Sequence, residues 1–332
     1  MSTPLLAITM GDPGGIGPEI ILKVASQGLL PRECSLLVLG DPGVFEEYSR
    51  LCSLPMEMEV VEAPPADPQG GRTYLLPVGP PLKEGDWAPG ITNAHCGRLV
   101  GEIIEKAVAL CQEGVTKAMV TAPINKMALH AAGYPYPGHT EFLARLTNTS
   151  DFAMMLIGGA IRVVLVTIHV ALSQVPQLIS KEEIRRVFKL THRGMREWFG
   201  IENPRIAVAA LNPHASEGGA FGDEEERIIV PAIEELRREG FSPHGPHPAD
   251  TLFYRHKQGE FDAVVAMYHD QGLIPVKLDG FDTGVNLTLG LPIIRTSVDH
   301  GTAFEIAGRG VANPNSLAAA IRTAVEIGQR TS

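Results

Sequence analysis

Three histidines each follow a short run of apolar and β-branched residues. His169 ends the run that starts at residue 162, His214 follows the run 205–211, and His269 follows the run 263–268. Because the carboxyl ends of parallel strands share one edge of a sheet, and open α/β sheets bind ligands at that edge, these imidazoles could converge. Three neutral imidazoles form a site for zinc, cobalt or manganese. For each histidine alone, a hydrogen-bonded loop position is the simpler interpretation.

The segment GHTE at residues 138–141 places an imidazole, a hydroxyl and a carboxylate in succession after a loop rich in glycine, proline and tyrosine. His139 and Thr140 could therefore bind an anionic or hydroxyl group of a ligand. The alternative interpretation is a helix start in which Thr140 is the N-cap residue. Both interpretations stay open on the sequence of this segment alone.

Three polar side chains follow His269 through loops and a further β-rich run. They are Lys277, Asn286 and Arg295. Two cations and an amide are the groups that bind a phosphate or a carboxylate in many proteins. Each of the three, taken alone, is also compatible with an ordinary surface position.

Short β-rich runs alternate with helical patterns, and these elements must position the candidate side chains. The alternation predicts α/β layers around a largely parallel sheet. The predicted strands cover residues 5–10, 36–40, 118–121, 162–169, 205–211, 263–268 and 293–296. The predicted helices cover residues 93–113, 181–199 and 224–239, the last ending at Gly240. The stretch 63–90, rich in proline, glycine and aspartate, predicts an irregular insertion or a β-arm.

The glycine-rich segment 11–19 follows a predicted strand and could be mistaken for a dinucleotide-binding fingerprint, with Asp41 as the ribose acceptor. A G-x-G-x-x-G pattern that began at Gly15 would require glycine at position 20, where Ile20 stands. Pro18 suits the first turn of a helix. The segment therefore predicts a tight turn that leads into a helix.

The composition indicates a globular protein of about two domains. The chain has 332 residues, of which 44% are hydrophobic, and a formal net charge of −10 at pH 7. Because no long run of lysine and arginine rises above this negative background, we expect neither a nucleic-acid surface nor binding to anionic membranes. The four cysteines form no C-x-x-C pair, and the first apolar run, residues 5–10, is too short for a signal-peptide core. These features predict free thiols and a cytoplasmic location.

A series of segments, in order along nearly the whole chain, resembles the 4-hydroxythreonine-4-phosphate dehydrogenase family of vitamin B6 biosynthesis. The segments are GDPGGIGPE (11–19), TAPINK (121–126), GHTE (138–141), NPHA (212–215), ADT (249–251), MYHDQG (267–272), GVNLTLG (284–290) and TSVDHGTA (296–303). The resemblance implies the two-domain α/β/α fold of isocitrate and isopropylmalate dehydrogenases, with mostly parallel sheets. It implies an NAD-binding-type domain of residues 1–130 and 285–332, and a metal, substrate and dimerisation domain of residues 131–284.

The resemblance also assigns roles to individual residues. The implied ligands of one divalent metal, which could be zinc, magnesium, cobalt or manganese, are His169, His214 and His269. The implied substrate contacts are His139, Thr140, Lys277, Asn286 and Arg295. The implied loop for NAD, or for NADP, consists of Asp299, His300, Gly301, Thr302 and Ala303, followed by the AGRG segment at 307–310. An obligate homodimer, in which each active site is completed by the partner subunit, is implied as well.

The implied reaction oxidises 4-hydroxythreonine 4-phosphate at C3 with NAD, after which the β-keto acid loses its carboxyl group to give 3-amino-2-oxopropyl phosphate. The metal would act as a Lewis acid. Lys277, with its pKa lowered by desolvation, is a candidate for the proton acceptor, and Asp250 is a second. Relatives that oxidise 4-phosphothreonate or 4-phosphoerythronate share many of these residues and provide an alternative substrate. A non-catalytic metabolite sensor of the same fold is the alternative from another class of protein.

Overall fold

A computed structural model of the protein describes residues 3–83 and 85–331. The chain forms two compact units, the first made of Met1–Asp151 and Leu291–Arg330 and the second of Phe152–Gly290. The sequence placed the boundaries earlier, after residues 130 and 284. They move because helix His139–Leu146 packs on a long helix of the first unit, and strand Val285–Leu289 pairs within the second.

The secondary structure alternates between strands and helices along most of the chain. The strands are β1 (Leu5–Thr9), β2 (Ser35–Gly40), β3 (Glu59–Val60), β4 (Thr73–Pro77), β5 (Ala118–Thr121), β6 (Ala153–Gly158), β7 (Ile161–Leu165), β8 (Ile206–Ala209), β9 (His244–His247), β10 (Ala263–Ala266), β11 (Val285–Leu289) and β12 (Arg295–Val298). The α-helices are α1 (Gly17–Ser26), α2 (Pro42–Cys52), α3 (Ala94–Gln112), α4 (Lys126–Ala131), α5 (His139–Leu146), α6 (Val175–Leu178), α7 (Lys181–Glu197), α8 (Val230–Arg238), α9 (Ala249–Lys257), α10 (His269–Gly280) and α11 (Asn315–Arg330).

In the first unit the strands lie in the order β3-β4-β2-β1-β5-β12, and all of these neighbours pair in parallel. Strands β1, β2 and β5 are buried along their whole length, as their apolar runs predict. The prediction of an irregular insertion or β-arm at 63–90 is wrong for Thr73–Pro77. This segment is β4, which pairs with β2 because Tyr74, Leu75 and Leu76 are buried against the sheet.

In the second unit the strands lie in the order β11-β6-β7-β10-β8-β9. The pairs β11–β6 and β6–β7 are antiparallel, whereas β7–β10, β10–β8 and β8–β9 are parallel. The predicted class, α/β with mostly parallel strands, is confirmed. The predicted strand at 162–169 ends earlier, at Leu165, so that His169 lies in the loop beyond β7 rather than in the strand.

The three predicted helices form, and local side chains define their ends. Asn93 caps α3 by accepting hydrogen bonds from the backbone N–H groups of His95 and Cys96. Ser180 caps α7 in the same way through Glu183 N–H. The helix predicted at 224–239 begins with a π-helical turn, Glu225–Ile229, and continues as α8. Gly240 follows it with a φ of 92°, in the left-handed region that favours glycine.

Two expectations about the cysteines and membranes can be compared with the described residues. All four cysteines have free thiols. Over residues 3–83 and 85–331, none of the helices combines the length and the apolar character that crossing a membrane requires.

Candidate active site

Arg295 places a guanidinium group inside the first unit. The residue is only 3% exposed, and its Nε and Nη2 atoms donate to Thr121 Oγ1 over 3.2 and 2.7 Å. Burial lowers the arginine pKa to about 10, against a smaller raising effect of the Glu141 carboxylate. The group therefore remains a cation at neutral pH. A buried guanidinium is stabilised by nearby anions: the Glu141 carboxylate is one, and a phosphate or carboxylate of a ligand is a further candidate.

His139 belongs to the same unit and is the first residue of α5. Its Nε2 atom is buried and has no hydrogen-bond partner among residues 3–83 and 85–331. Burial, and to a smaller extent the positive charge of Arg295, holds the imidazole pKa well below its ordinary value of 6.5. His139 is consequently a neutral ring at neutral pH, able to donate one hydrogen bond to a ligand or accept one from it.

Thr140 lies in the first turn of α5, one residue after His139. The alternative that Thr140 is the N-cap residue is wrong, because Gly138 occupies that position and no side chain caps the helix. The Thr140 hydroxyl is thus not committed to the role of N-cap. Backbone N–H groups at a helix start also favour anions. Arg295, His139 and Thr140 together suit an oxyanion such as a phosphate or a carboxylate.

Asn286 and Lys277 belong to the second unit. Asn286 lies on β11, where its Oδ1 atom is buried with no hydrogen-bond partner in the described part of the chain and its Nδ2 atom is 2.9 Å from Met154 Sδ. Lys277 lies on α10 and is exposed, with its ammonium 5.9 Å from the centre of the Phe281 ring. Because Lys277 is exposed in a single chain, its expected desolvation would require another molecule to bury it. Asp250, the second candidate base, is exposed in the first turn of α9.

His169 and His269 come together in the second unit. Their ring centres are 5.6 Å apart, beside a cavity of about 460 Å³ that Tyr268 and Asp270 also line. Two imidazoles that bind one zinc ion at about 2.0–2.1 Å have ring centres roughly 5 Å apart. The spacing is therefore compatible with a shared metal. Asp270 Oδ1 lies 2.7 Å from His269 Nδ1, which leaves His269 Nε2 available to a ligand.

His214 is exposed on a short 3₁₀ turn, Pro213–Glu217, after β8. In the part of the chain that the structure describes, no three side chains among His, Cys, Asp and Glu lie close enough to hold a metal together. The structure thus brings two of the three predicted ligands together and leaves His214 apart from them within one chain. The three-histidine site stays a prediction.

The predicted cofactor loop, Asp299 to Ala303, connects β12 to a 3₁₀ turn. Its position is fixed by two hydrogen bonds: Asp299 N–H donates to Ser316 Oγ over 3.2 Å, and Thr302 C=O accepts from Ile16 N–H over 2.9 Å. At Gly301 a side chain would meet no atom within 4 Å. The loop is therefore held at its base and open at Gly301. Its assignment to a cofactor stays a prediction.

Three N–H groups of the glycine turn after β1 already have acceptors within the chain. The N–H groups of Gly14, Gly15 and Ile16 donate to Asp12 Oδ1, Asp12 C=O and Thr302 C=O, respectively. A Cβ atom at Gly14 would lie 2.0 Å from the carbonyl oxygen of Ile91, so close backbone packing explains that glycine.

Asp41, which the fingerprint interpretation would assign to a ribose, has a local role. Its two carboxylate oxygens accept backbone hydrogen bonds from Gly43 and Leu82, each over 2.7 Å. Both observations favour the tight-turn interpretation of the opening segment.

Sequence reasoning missed three residues that position the candidate site. Thr121 binds the Arg295 guanidinium, Asp270 binds the His269 ring, and Glu225 binds the backbone of the His214 loop. The adjacency of Asp270 to His269 was an available signal for one of them. The other two contacts join distant segments, which only the fold brings together.

Comparisons with known proteins show the family of the chain. The family described as pyridoxal phosphate biosynthetic protein PdxA matches residues 32–324. The 4-hydroxythreonine-4-phosphate dehydrogenase of Desulfosudis oleivorans is 49% identical over 97% of this chain and 96% of that protein. The D-threonate 4-phosphate dehydrogenase of Cupriavidus necator is 46% identical over 98% of both. A crystal structure of the 4-hydroxythreonine-4-phosphate dehydrogenase of Klebsiella pneumoniae matches with a TM-score of 0.89 and 44% identity, over 98% of this chain and 100% of that one.

The fold and these relatives define an oxidoreductase of the dehydrogenase class, which implies a nicotinamide cofactor and a small phosphorylated substrate. Within that class, the chain belongs to the PdxA family.

The depressed pKa of His139 predicts a pH dependence of stability. Because the folded-state pKa lies below the unfolded value of about 6.5, the unfolded state binds more protons at mildly acidic pH. The stabilising contribution of the neutral ring is fully present above that value and is lost as the pH falls below it. We expect the melting temperature of His139→Gln to fall less than that of the wild type between about pH 7 and pH 5. A His139 ring that titrates near 6.5 by NMR would contradict the assignment.

Proposed function

We propose that the protein oxidises 4-hydroxythreonine 4-phosphate at C3 with NAD and promotes loss of the carboxyl group, giving 3-amino-2-oxopropyl phosphate for pyridoxal 5′-phosphate biosynthesis. The observation that carries this proposal is the buried Arg295 guanidinium beside the neutral His139 ring. Such a pair binds an anionic group, and the relatives named above act on phosphorylated hydroxy acids. The product would be a phosphorylated aminoketone.

The side chains of this chain bind and orient the substrate. In the first unit, one anionic group is bound by the guanidinium of Arg295, the neutral imidazole of His139 and the hydroxyl of Thr140. In the second unit, Lys277 offers a cation. The buried Asn286 Oδ1 atom, which has no hydrogen-bond partner among the described residues, can accept a hydrogen bond from an amine or a hydroxyl. Holding an anionic group of the substrate would restrict the orientation of C3, and orientation contributes strongly to the rate of such a reaction.

The cofactor would bind against Asp299, His300, Gly301, Thr302 and Ala303. The open space at Gly301 and the fixed base of the loop support this placement, whereas three N–H groups of the opening glycine turn already donate within the chain. NAD accepts the hydride that leaves C3. We propose NAD as the physiological cofactor, and NADP as the alternative that the assay below distinguishes.

A divalent metal, zinc, magnesium, cobalt or manganese, would be held by His169, His214 and His269 and would supply a Lewis acid for both steps. The 5.6 Å spacing of the His169 and His269 rings supports this part of the proposal. Asp270 fixes the His269 tautomer by accepting a hydrogen bond from its Nδ1 atom, so that Nε2 faces the ligand. Lys277 or Asp250 would accept the substrate proton.

We further propose a cytoplasmic homodimer with shared active sites. Three large apolar residues share one face of α10 and the turn after it: Ile274, Leu278 and Phe281 are 58, 83 and 76% exposed. Ile274 and Leu278 lie on the same helix as Lys277, four residues apart, and Phe281 follows three residues later in the turn. A contiguous apolar face of this kind is typical of a protein interface. A second copy that covers it would also desolvate Lys277.

A second candidate function is oxidation of D-threonate 4-phosphate. The relative from Cupriavidus necator, 46% identical over nearly the whole chain, favours it. The two substrates differ at the group that is an amine in one and a hydroxyl in the other. The described residues around Arg295 and His139 suit an anion of either substrate, so kinetics must separate them.

We expect kcat/KM for 4-hydroxythreonine 4-phosphate to exceed that for D-threonate 4-phosphate by at least about tenfold, since one misplaced polar group costs that much or more. Formation of NADH is measured with both substrates, and the better one is then assayed with NADP. A reversed ratio would establish the second candidate. Absence of NADH formation with both substrates would contradict the proposed reaction.

The shared site predicts complementation between inactive variants. Mixed dimers of His139→Ala and His269→Ala chains should contain one intact site, so random pairing of exchanging subunits should restore activity to about a quarter of the wild-type value. The matched control mixes His139→Ala with Arg295→Met. These two residues lie together in one unit of one chain, so this pair should not recover. No recovery in demonstrably mixed His139→Ala and His269→Ala dimers would show that both histidines serve the same chain's site.

A further inference from the structure

The loop that carries His214 has an unusual backbone. His214, Ala215, Ser216 and Glu217 have φ angles of 53, 53, 68 and 44°, so four consecutive residues with side chains adopt the left-handed region. Each such residue costs free energy relative to the right-handed or extended regions. Runs of this kind persist only where the surrounding structure holds them, and they are found mainly at functional sites.

The Glu225 carboxylate is the group that holds this loop. Glu225 is 3% exposed and begins the π-helical turn before α8. Its Oε1 atom accepts the backbone N–H groups of Leu211 and Asn212, each over 2.7 Å. Its Oε2 atom accepts Asn212 Nδ2 over 2.9 Å and the Ser216 hydroxyl. One buried carboxylate therefore ties the chain on both sides of His214.

The His214 side chain itself is exposed. The centre of its ring lies 6.2 Å from the centre of the Phe221 ring. Phe221 is itself 48% exposed. The direction of the imidazole therefore depends on the backbone that carries it, and that backbone depends on Glu225.

We propose that Glu225 is a positioning residue that holds the strained loop and thereby presents His214 to the divalent metal. This inference rests on the proposed metal site and on the proposed dimer with shared sites, because no three potential ligands of a metal lie together among the described residues of one chain. A buried carboxylate that served only to stabilise the helix would not need four hydrogen bonds to one loop. The arrangement also explains the left-handed backbone, which the carboxylate stabilises through charge-assisted hydrogen bonds.

The test compares Glu225→Gln with Ile233→Val. The glutamine keeps the shape of the side chain but removes its charge and one acceptor oxygen. Ile233 lies on α8 and is 1% exposed, so its truncation lowers stability without touching the loop. Hydrogen exchange of the backbone at 211–217 and the affinity for Zn²⁺, by competition with a chelator, are measured for both variants and the wild type.

Glu225→Gln should raise exchange at Leu211 and Asn212 and weaken Zn²⁺ binding about 10- to 100-fold, as loss of a partner that orients a metal ligand does. Ile233→Val should lower the melting temperature with wild-type exchange in the loop and wild-type Zn²⁺ affinity. Wild-type Zn²⁺ affinity in Glu225→Gln would overturn the inference. Equal weakening in both variants would also overturn it, because the effect would then be one of stability.

Ser216→Ala provides a second variant if Glu225→Gln does not fold. It removes one of the four hydrogen bonds and should weaken Zn²⁺ binding by a smaller factor. Unchanged affinity in Ser216→Ala alone would count against the inference. His169→Ala separates this failure from that of the proposed function. If the wild type binds Zn²⁺ no better than His169→Ala, the metal site itself is absent.

Discussion

The removal of the Arg295 guanidinium from water is the constraint on which the first unit's site depends. A cation that is 3% exposed needs hydrogen bonds and a nearby negative charge. Thr121, at the end of β5, supplies part of this need, because β12 pairs with β5 in parallel and brings the two side chains together. The same positive charge helps to keep the His139 ring neutral. The Glu141 carboxylate is a nearby negative charge, and in the proposed function a phosphate or carboxylate of the substrate binds the same guanidinium.

Carboxylates position other parts of the chain, some of them buried and one, Asp270, exposed. In the first unit, Glu19 and Lys23 of α1 form a buried ion pair at 2.9 Å, and Lys23 also donates to the carbonyl oxygens of Gly310 and Ala312. These contacts anchor the segment that follows the predicted cofactor loop. In the second unit, Asp270 and Glu225 fix the ring of His269 and the loop of His214. The candidate site is thus positioned by acceptors that lie outside the groups expected to touch substrate.

Much of this arrangement could be predicted from the sequence, because it depends on local patterns. The apolar runs of β1, β2 and β5, the Ser180 cap of α7 and Gly240 after α8 are all visible in a few neighbouring residues. The failures involve long-range pairing. Strand β11 pairs with β6, more than a hundred residues earlier, and β4 joins the sheet from a stretch whose composition indicates irregular structure. No local pattern reports either contact.

The site residues show the same division between local and distant information. Strands that end before histidines indicated His169 and His269, and these two rings are close in the structure. The spacing could not show that His214 lies apart from them in a single chain, because its position depends on a loop held by Glu225. Thr140 was open to interpretation as an N-cap, yet Gly138 takes that position. Which residue begins a helix depends on the path of the preceding chain, and this path is a tertiary property.

The central claim, that buried Arg295 binds the anionic substrate, is tested most directly by steady-state kinetics of Arg295→Met and Arg295→Lys. Loss of one partner of a buried charged hydrogen bond costs at least about 2 kcal/mol, which is roughly thirtyfold in binding. The account predicts that Arg295→Met raises KM for the phosphorylated substrate at least thirtyfold, by that conversion, and leaves KM for NAD near the wild-type value. Arg295→Lys keeps the positive charge but loses the paired N–H donors of the guanidinium. Its KM for the phosphorylated substrate should lie between those of the wild type and Arg295→Met. An unchanged KM for the phosphorylated substrate in a folded Arg295→Met enzyme, or an equal rise in KM for NAD, would contradict the account.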